Sequence, residues 1–306
     1  MEQVIVNDVA PRDGLQNHAT AVSPEDRVEL INKLVEAGVP AVEVASFVSP
    51  RAVPKMAGAA EVVAQLDLSR AAFSALVPNR KGYELARAAG VRSIALVLSA
   101  TEQMNRNNIN MGLDTATAVC REVLQQANAD GLEARCYISV AFECPFEGVV
   151  PDSEVERLAA EMCAAGATEI IVADTIGAGN PARAKALFGR MVAAFGADRL
   201  AAHLHDTRAL ALANVWEALA SGIRKFDASL GGLGGCPFAP GAAGNLATED
   251  LVSMLHQSGF QTGIDLRALL DTLQLLAALV GTPVGGRALP WLERQFPPVD
   301  TKLSSQ

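Results

Sequence analysis

His203 and His205 stand two residues apart in the stretch HLHDTRALALAN, residues 203–214. Side chains two apart on a strand point to one face, so the two imidazoles can converge on a single cation. An H-x-H pair alone fits a hydrogen-bonded core histidine equally well. Asp13, in APRDGLQ near the amino terminus, tips the balance towards a metal. As a hard carboxylate it would complete a mixed oxygen and nitrogen set suited to Mg2+ or Mn2+ with positions left for substrate, while zinc stays open on residue type alone. Asp206 should face away from the two histidines and reads as a helix cap or supporting group. His18 and His256 have no comparable neighbours and read as solvated loop or helix residues.

A second unusual stretch, LGGLGGCPFAPGAAGN, runs from Leu230 to Asn245. That much glycine suits neither helix nor strand. The stretch lacks the Lys-Ser or Lys-Thr ending of a phosphate-binding P-loop, so a hinged lid carrying Cys236 is the better reading. Cys120, Cys136, Cys144 and Cys163 are scattered, with no C-x-x-C pair. They read as small core residues in a reducing cytoplasm rather than as a disulfide framework.

These residues need elements to hold them. Eight short apolar, β-branched runs recur along the chain: VIVNDVA, AVEVASF, AAFSALV, SIALVLSA, ARCYISVAF, EIIVADT, LAAHLHD and KFDASLGG. Segments of helical period lie between them, such as SPEDRVELINKLVEAG, with Ser23 as cap, Pro24 in the first turn and Gly38 at the end. Eight strand–helix units predict an α/β fold, the (β/α)8 TIM barrel. The alternative, a doubly wound sheet, would want a G-x-G-x-x-G after the first strand, and none is there. The expected layout is one catalytic domain over residues 1–306, with the barrel at about 1–262 and an added C-terminal helix and Pro-rich tail over 263–306. In such barrels chemistry collects at the carboxyl ends of the strands. Arg12 and Asp13 follow the first strand, Glu43 lies in the second, Asp174 and Thr175 end the sixth, and the seventh carries the histidine pair.

Composition narrows the partners. The chain has 306 residues, 50% of them hydrophobic and 19% charged, with a net charge of -9. It is long enough for a large core, and it offers no basic field for nucleic acid. No apolar run reaches the roughly 18 residues a membrane span needs, and the first residues resemble neither a signal nor a transit peptide. A cytoplasmic protein without membrane or nucleic-acid partners is expected.

The segments PRDGLQN, SFVSPRAVPKMAG, NRNNIN, CPFEG, DTIG, HLHDT and GLGGCPFAPGAAGNLATEDLV occur in order over nearly the whole chain. On these the sequence resembles the 3-hydroxy-3-methylglutaryl-CoA lyase family, within the metal-dependent TIM-barrel lyases and synthases. The resemblance implies a divalent cation, Mg2+ or Mn2+, held by Asp13, His203, His205 and Asn245. It also implies Arg12 as the stabiliser of an enolate, Cys236 as an acid or base on a mobile loop, Glu43 and Asp174 as polar groups of the cavity, and Asp250 in support. The implied substrate is an acyl-CoA thioester split to acetyl-CoA and acetoacetate, and the implied assembly is a homo-oligomer, dimer or tetramer.

The chemistry is consistent with a metal. An alcohol near pKa ~16 lies roughly nine units above neutrality, about 12 kcal/mol, beyond the reach of an unaided histidine. Arg208, Ala209 and Leu210 stand where the family reads Tyr-Gly-Gln, which leaves the acyl group open; Arg208 reads equally as a partner for an extra carboxylate and as a solvent-facing arginine at the start of a helix. Two other readings are a condensing synthase on the same barrel and a silent CoA-binding barrel. The short C-terminal region disfavours the first, and the complete set of implied ligands disfavours the second.

Overall fold

A computed structural model describes residues 2–235 and 244–297. Eight parallel strands close into a barrel: β1 (Ile5–Asp8), β2 (Ala41–Ser46), β3 (Ala72–Leu76), β4 (Ser93–Ser99), β5 (Glu133–Ser139), β6 (Glu169–Asp174), β7 (Leu200–Leu204) and β8 (Lys225–Ala228). Each strand pairs with the next in sequence, and β8 closes on β1. The closed order is that of a (β/α)8 barrel rather than an open sheet.

Period-two alternation divides every strand between two environments. Outward residues such as Val6, Val42, Ile94 and Ile170 join the shell under the helices, where most of the apolar core sits. Inward residues form a small separate cluster of Leu76, Ala95, Tyr137, Ile171, Ala173 and Ala201. A barrel interior is ordinarily filled with branched apolar side chains. Here the rest of it is buried polar and charged: Asn7, Glu43, Glu169, His203 and Asp227.

The first helix, Pro24–Glu36, begins where Ser23 Oγ accepts from Asp26 N at 3.1 Å, and the chain leaves it through Gly38 at φ 89°. The added helix Leu266–Val280 is capped by Asp265, which accepts from Arg267 N (2.8 Å) and Ala268 N (3.1 Å), and it packs on that first helix. The segment read as tail is helical over Leu289–Gln295. Pro290 is tolerated there because it sits in the first turn, where an N–H has no partner to lose, and buried Leu292 anchors the turn. Cys120, Cys136 and Cys144 are buried and unpaired, as their apolar settings imply.

Two carboxylates tie this end of the chain to the barrel. Asp250 accepts from Arg287 N (2.7 Å) and Ala288 N (2.9 Å). Glu249 accepts from Gly286 N (2.6 Å) and from Gly231 N (3.1 Å), at the root of the glycine-rich stretch. Burial pushes the Glu249 carboxyl up to about 7, against 4.5 when free. Its neutral form therefore contributes stability that is complete below pH 4.5 and lost as pH rises through 7. Asp8 and Asp174, each raised to about 6 by burial, act in the same direction. Buried His205, lowered to about 3, gains stability as pH rises to 6.5 and offsets part of this, so urea unfolding in EDTA should show stability falling from pH 5 to pH 8 by roughly 3 kcal/mol. A flat or rising profile would contradict buried neutral carboxyls.

Candidate metal centre and active site

After β1 the chain makes one π-helical turn, Ala10–Gly14, in which Gly14 N reaches back five residues to Val9 O at 3.1 Å. Such wide turns re-aim side chains and recur at functional sites. This one brings Arg12 and Asp13, adjacent in sequence, over the mouth of the barrel. Arg12 is buried and forked. Nε donates to Glu43 Oε2 at 2.5 Å, and Nη1 donates to Asp13 Oδ1 at 2.6 Å. Glu43 reaches it from β2, where the register with β3 slips between Glu43 and Ala45. Burial raises the Glu43 carboxyl against the pull of Arg12. For Asp13, burial would raise the carboxyl, but Arg12 and the nearby histidines outweigh it and hold it below the ordinary range.

His203 lies within β7 and His205 just past its end. Their Nε2 atoms face one another at 3.2 Å, and one ligand atom each of Asp13, His203 and His205 lies within 4.8 Å of the others. The fourth implied ligand comes from the chain returning after the glycine-rich stretch. Leu246 N donates to Leu204 O and Asp206 N to Gly244 O, so Asn245 bridges antiparallel to His205. Asn245 Nδ2 donates to Asp13 Oδ2 (2.8 Å) and Leu233 O (2.9 Å), whereas its Oδ1 is buried with no hydrogen-bond partner among the described residues. Gly234, at φ 108°, permits this approach, since a Cβ there would lie 2.4 Å from Asn245 Nδ2.

These donors fit a divalent cation. His203 Nδ1 faces the acceptor Asp227 Oδ2 at 3.2 Å, so its proton belongs on Nδ1 and its Nε2 lone pair points towards His205. Two buried imidazole nitrogens facing one another, beside an amide oxygen unpartnered among the described residues, make a costly cluster unless a cation sits between them, and Asp13, paired with Arg12, adds an anionic ligand. With a cation they form a mixed set of hard and borderline ligands. Asp13, His203 and His205 line a cavity of about 240 Å3 at the carboxyl ends of the strands, together with Arg12, Tyr137, Ser139, Thr175 and an apolar wall that includes Val48, Val77 and Met104.

The sequence matches the HMGL-like family model over residues 3–276. The chain belongs to the HMGL-like family. It is 44% identical to the hydroxymethylglutaryl-CoA lyase of Pseudomonas mevalonii over 289 residues, 94% of this chain and 96% of that one. It is equally 44% identical, over 297 residues and 93% of each chain, to the (R)-citramalyl-CoA lyase of Chloroflexus aurantiacus. Among solved structures it superposes with a TM-score of 0.90 and 36% identity on an HMG-CoA lyase from Acinetobacter baumannii in complex with coenzyme A and 3-methylmalate, covering 99% of this chain and 98% of that one. This HMGL-like protein is therefore a lyase.

Of the site residues expected from sequence, Arg12, Asp13, Glu43, His203, His205 and Asn245 are brought together. Asp174 lies beside the cavity rather than in it. Its two oxygens accept from Ala178 N and Gly179 N, both at 2.8 Å, and so shape the loop that places Thr175 on the wall. Cys236 lies outside the described residues, and its neighbour Gly235 lines the cavity.

Arg208 does not line the cavity: Nε donates to Gly177 O at 2.9 Å, and Nη2 donates to Ala178 O. With Nε and Nη2 on backbone carbonyls of the β6 loop, Arg208 matches the reading of an arginine at a helix start better than that of a partner for a substrate carboxylate. Ala209 holds φ 59° where the family resemblance calls for glycine, a conformation that costs a residue with a Cβ about 1 kcal/mol. The N-cap of helix Ala211–Ala220 is Leu210, and Asp206 takes the supporting role, accepting from Ala211 N at 3.1 Å and binding Arg287. His256 is exposed and bonded to Thr262, and half-buried His18 lies away from the metal ligands.

Two residues of the site escaped the sequence reading. Tyr137 lines the cavity with its ring edge-on to His203, the centroids 5.7 Å apart. Asp227 lies under His203 within β8. The available signal was a lone acidic residue inside the apolar run KFDAS, where a buried strand should carry none.

Proposed function

We propose that this lyase cleaves 3-hydroxy-3-methylglutaryl-CoA, or a close 3-hydroxyacyl-CoA thioester, to acetyl-CoA and acetoacetate or the corresponding oxo acid, with Mg2+ or Mn2+ as cofactor. One observation supports this above the others. Asp13, His203 and His205 converge beside Arg12 on the cavity wall, with Asn245 hydrogen-bonded to Asp13.

In the reaction the tertiary hydroxyl loses its proton, the bond between C2 and C3 breaks, C3 becomes the ketone, and the electron pair stays on C2 as a thioester enolate. Protonation of C2 then yields acetyl-CoA. A bound divalent cation would supply the Lewis acidity that brings the hydroxyl within reach of a protein base. Asp13, His203, His205 and Asn245 would hold that cation. Arg12, locked by Glu43 and Asp13, is the fixed positive charge beside the developing enolate, and it needs no reorganisation when charge appears. Cys236 is the proposed acid that returns a proton to C2. The apolar wall of Val48, Val77 and Met104 excludes water from the carbanion.

Acetyl-CoA release from (S)-3-hydroxy-3-methylglutaryl-CoA with Mg2+ or Mn2+ should be abolished by EDTA and restored by added metal. Turnover that survives complete metal removal would sink the proposal. The equal identity to the citramalyl-CoA lyase favours one further substrate, a thioester with its carboxylate directly on C3. Cleavage of that compound would give pyruvate instead of acetoacetate, so the oxo-acid product separates the two.

A further inference from the structure

The interior of the barrel beneath the metal ligands carries charge where such barrels normally carry branched apolar side chains. Asp227 is at its centre. Strand register places Asn7, Asp227 and His203 side by side on β1, β8 and β7, all facing inward. Asp227 is fully buried, and several donors aim at it. Asn7 Nδ2 donates to Oδ1 at 2.8 Å, Tyr137 OH donates to Oδ2 at 2.6 Å, and His203 Nδ1 faces Oδ2 at 3.2 Å. The Arg135 guanidinium stands 3.6 Å from Oδ1.

The charge continues downwards. Arg135 and Glu169 are register partners on β5 and β6, joined at 2.7 Å, and Lys225 Nζ closes on the other oxygen of Glu169 at 2.6 Å. Lys225, Glu169, Arg135 and Asp227 thus alternate in sign from the amino-terminal end of the barrel up to His203. A buried carboxylate needs such compensation, and nothing in the barrel fold requires a carboxylate there.

We infer that Asp227 is the positioning residue of the metal centre: it fixes His203 as the Nδ1–H tautomer and holds its ring so that Nε2 is presented to the cation. The inference rests on the metal reading above and adds the residue that makes it work. A metal-bound histidine commonly donates its second N–H to a carboxylate, which fixes the ring and its tautomer. Tyr137 acts on the same group, because its hydroxyl pins the Oδ2 that receives His203 while its ring edge stands against the imidazole. His205 has no such partner, since its Nδ1 is buried and unbonded among the described residues. His203 is therefore the better-anchored ligand of the pair.

The test measures Mn2+ affinity by titration calorimetry, independently of turnover, on wild type, Asp227→Asn and Tyr137→Phe. Asparagine keeps the shape but offers one acceptor oxygen to the donors gathered there and brings an NH2 of its own. We expect the Asp227→Asn Kd to rise by about 10- to 100-fold and the Tyr137→Phe Kd by about 3- to 10-fold, both variants folded by circular dichroism. In the Mg2+-loaded protein, long-range 1H–15N NMR of the histidines should show His203 as the Nδ1–H tautomer, with the Asp227→Asn variant losing that single form. Should Asp227→Asn fail to fold, Tyr137→Phe and the wild-type tautomer carry the test. Unchanged Mn2+ affinity in folded variants would overturn the inference while leaving the metal site intact, whereas His203 protonated on Nε2 in the Mg2+-loaded wild type would overturn the inference and remove His203 from the ligand set. No Mn2+ binding by wild type would overturn the metal reading itself.

Discussion

Replacing His203 with alanine is expected to lower kcat/KM for thioester cleavage by about 10^3-fold or more, some 4 kcal/mol of transition-state stabilisation. The imidazole supplies one of the converging ligand atoms, and its Nε2 stands 3.2 Å from that of His205. The substitution also strands Asp227, a carboxylate with no exposed side-chain surface and one donor fewer. Cation binding should fall along with turnover. Steady-state kinetics beside a Mn2+ titration would check this, with excess metal giving at best partial recovery. Full activity at ordinary metal concentrations would remove His203 from the site.

Arg12→Lys is expected to separate the two halves of the machinery. Lysine keeps the charge but cannot span Glu43 and Asp13 at once, as the guanidinium does through Nε and Nη1. The fixed counter-charge for the enolate would then be lost from its place. We expect kcat to fall by about 10^2- to 10^3-fold, with Mn2+ affinity close to that of wild type because no ligand is removed. Kinetics and metal titration on the same preparation would decide it. A parallel loss of metal binding would make Arg12 an organiser of Asp13 rather than a participant in the chemistry.

The buried network bears on how such a site stays ordered. Arg12, Glu43, Asp13, Asn245, His203 and Asp227 form one run of hydrogen bonds and facing charges that crosses β1, β2, β7 and β8. His203 stands on a barrel strand, and Asp13, His205 and Asn245, just beyond strand ends, are tied to the wall by this network, which favours a single geometry. Glu249 and Asp250 brace the same end from outside, linking the C-terminal segment to the root of the glycine-rich stretch.

Local pattern alone determined the eight strand–helix units, the added helix and the shared face of His203 and His205. Those features follow from periods of two and 3.6 residues and from caps such as Ser23 and Asp265, all expressed within a few positions. The motif run of the family carried Arg12, Asp13, Glu43 and Asn245. What only the tertiary structure decided is which way polar side chains at the strand ends turn and what they meet. Asp174 turns to its own loop, Arg208 to the carbonyls of that loop, and Asp227 to His203 from a neighbouring strand. Closing the barrel makes the last strand a neighbour of the first, so Asn7 and Asp227, 220 positions apart, hydrogen-bond at 2.8 Å. No local window spans that distance, and the buried charge only becomes intelligible once the donors around it share one interior.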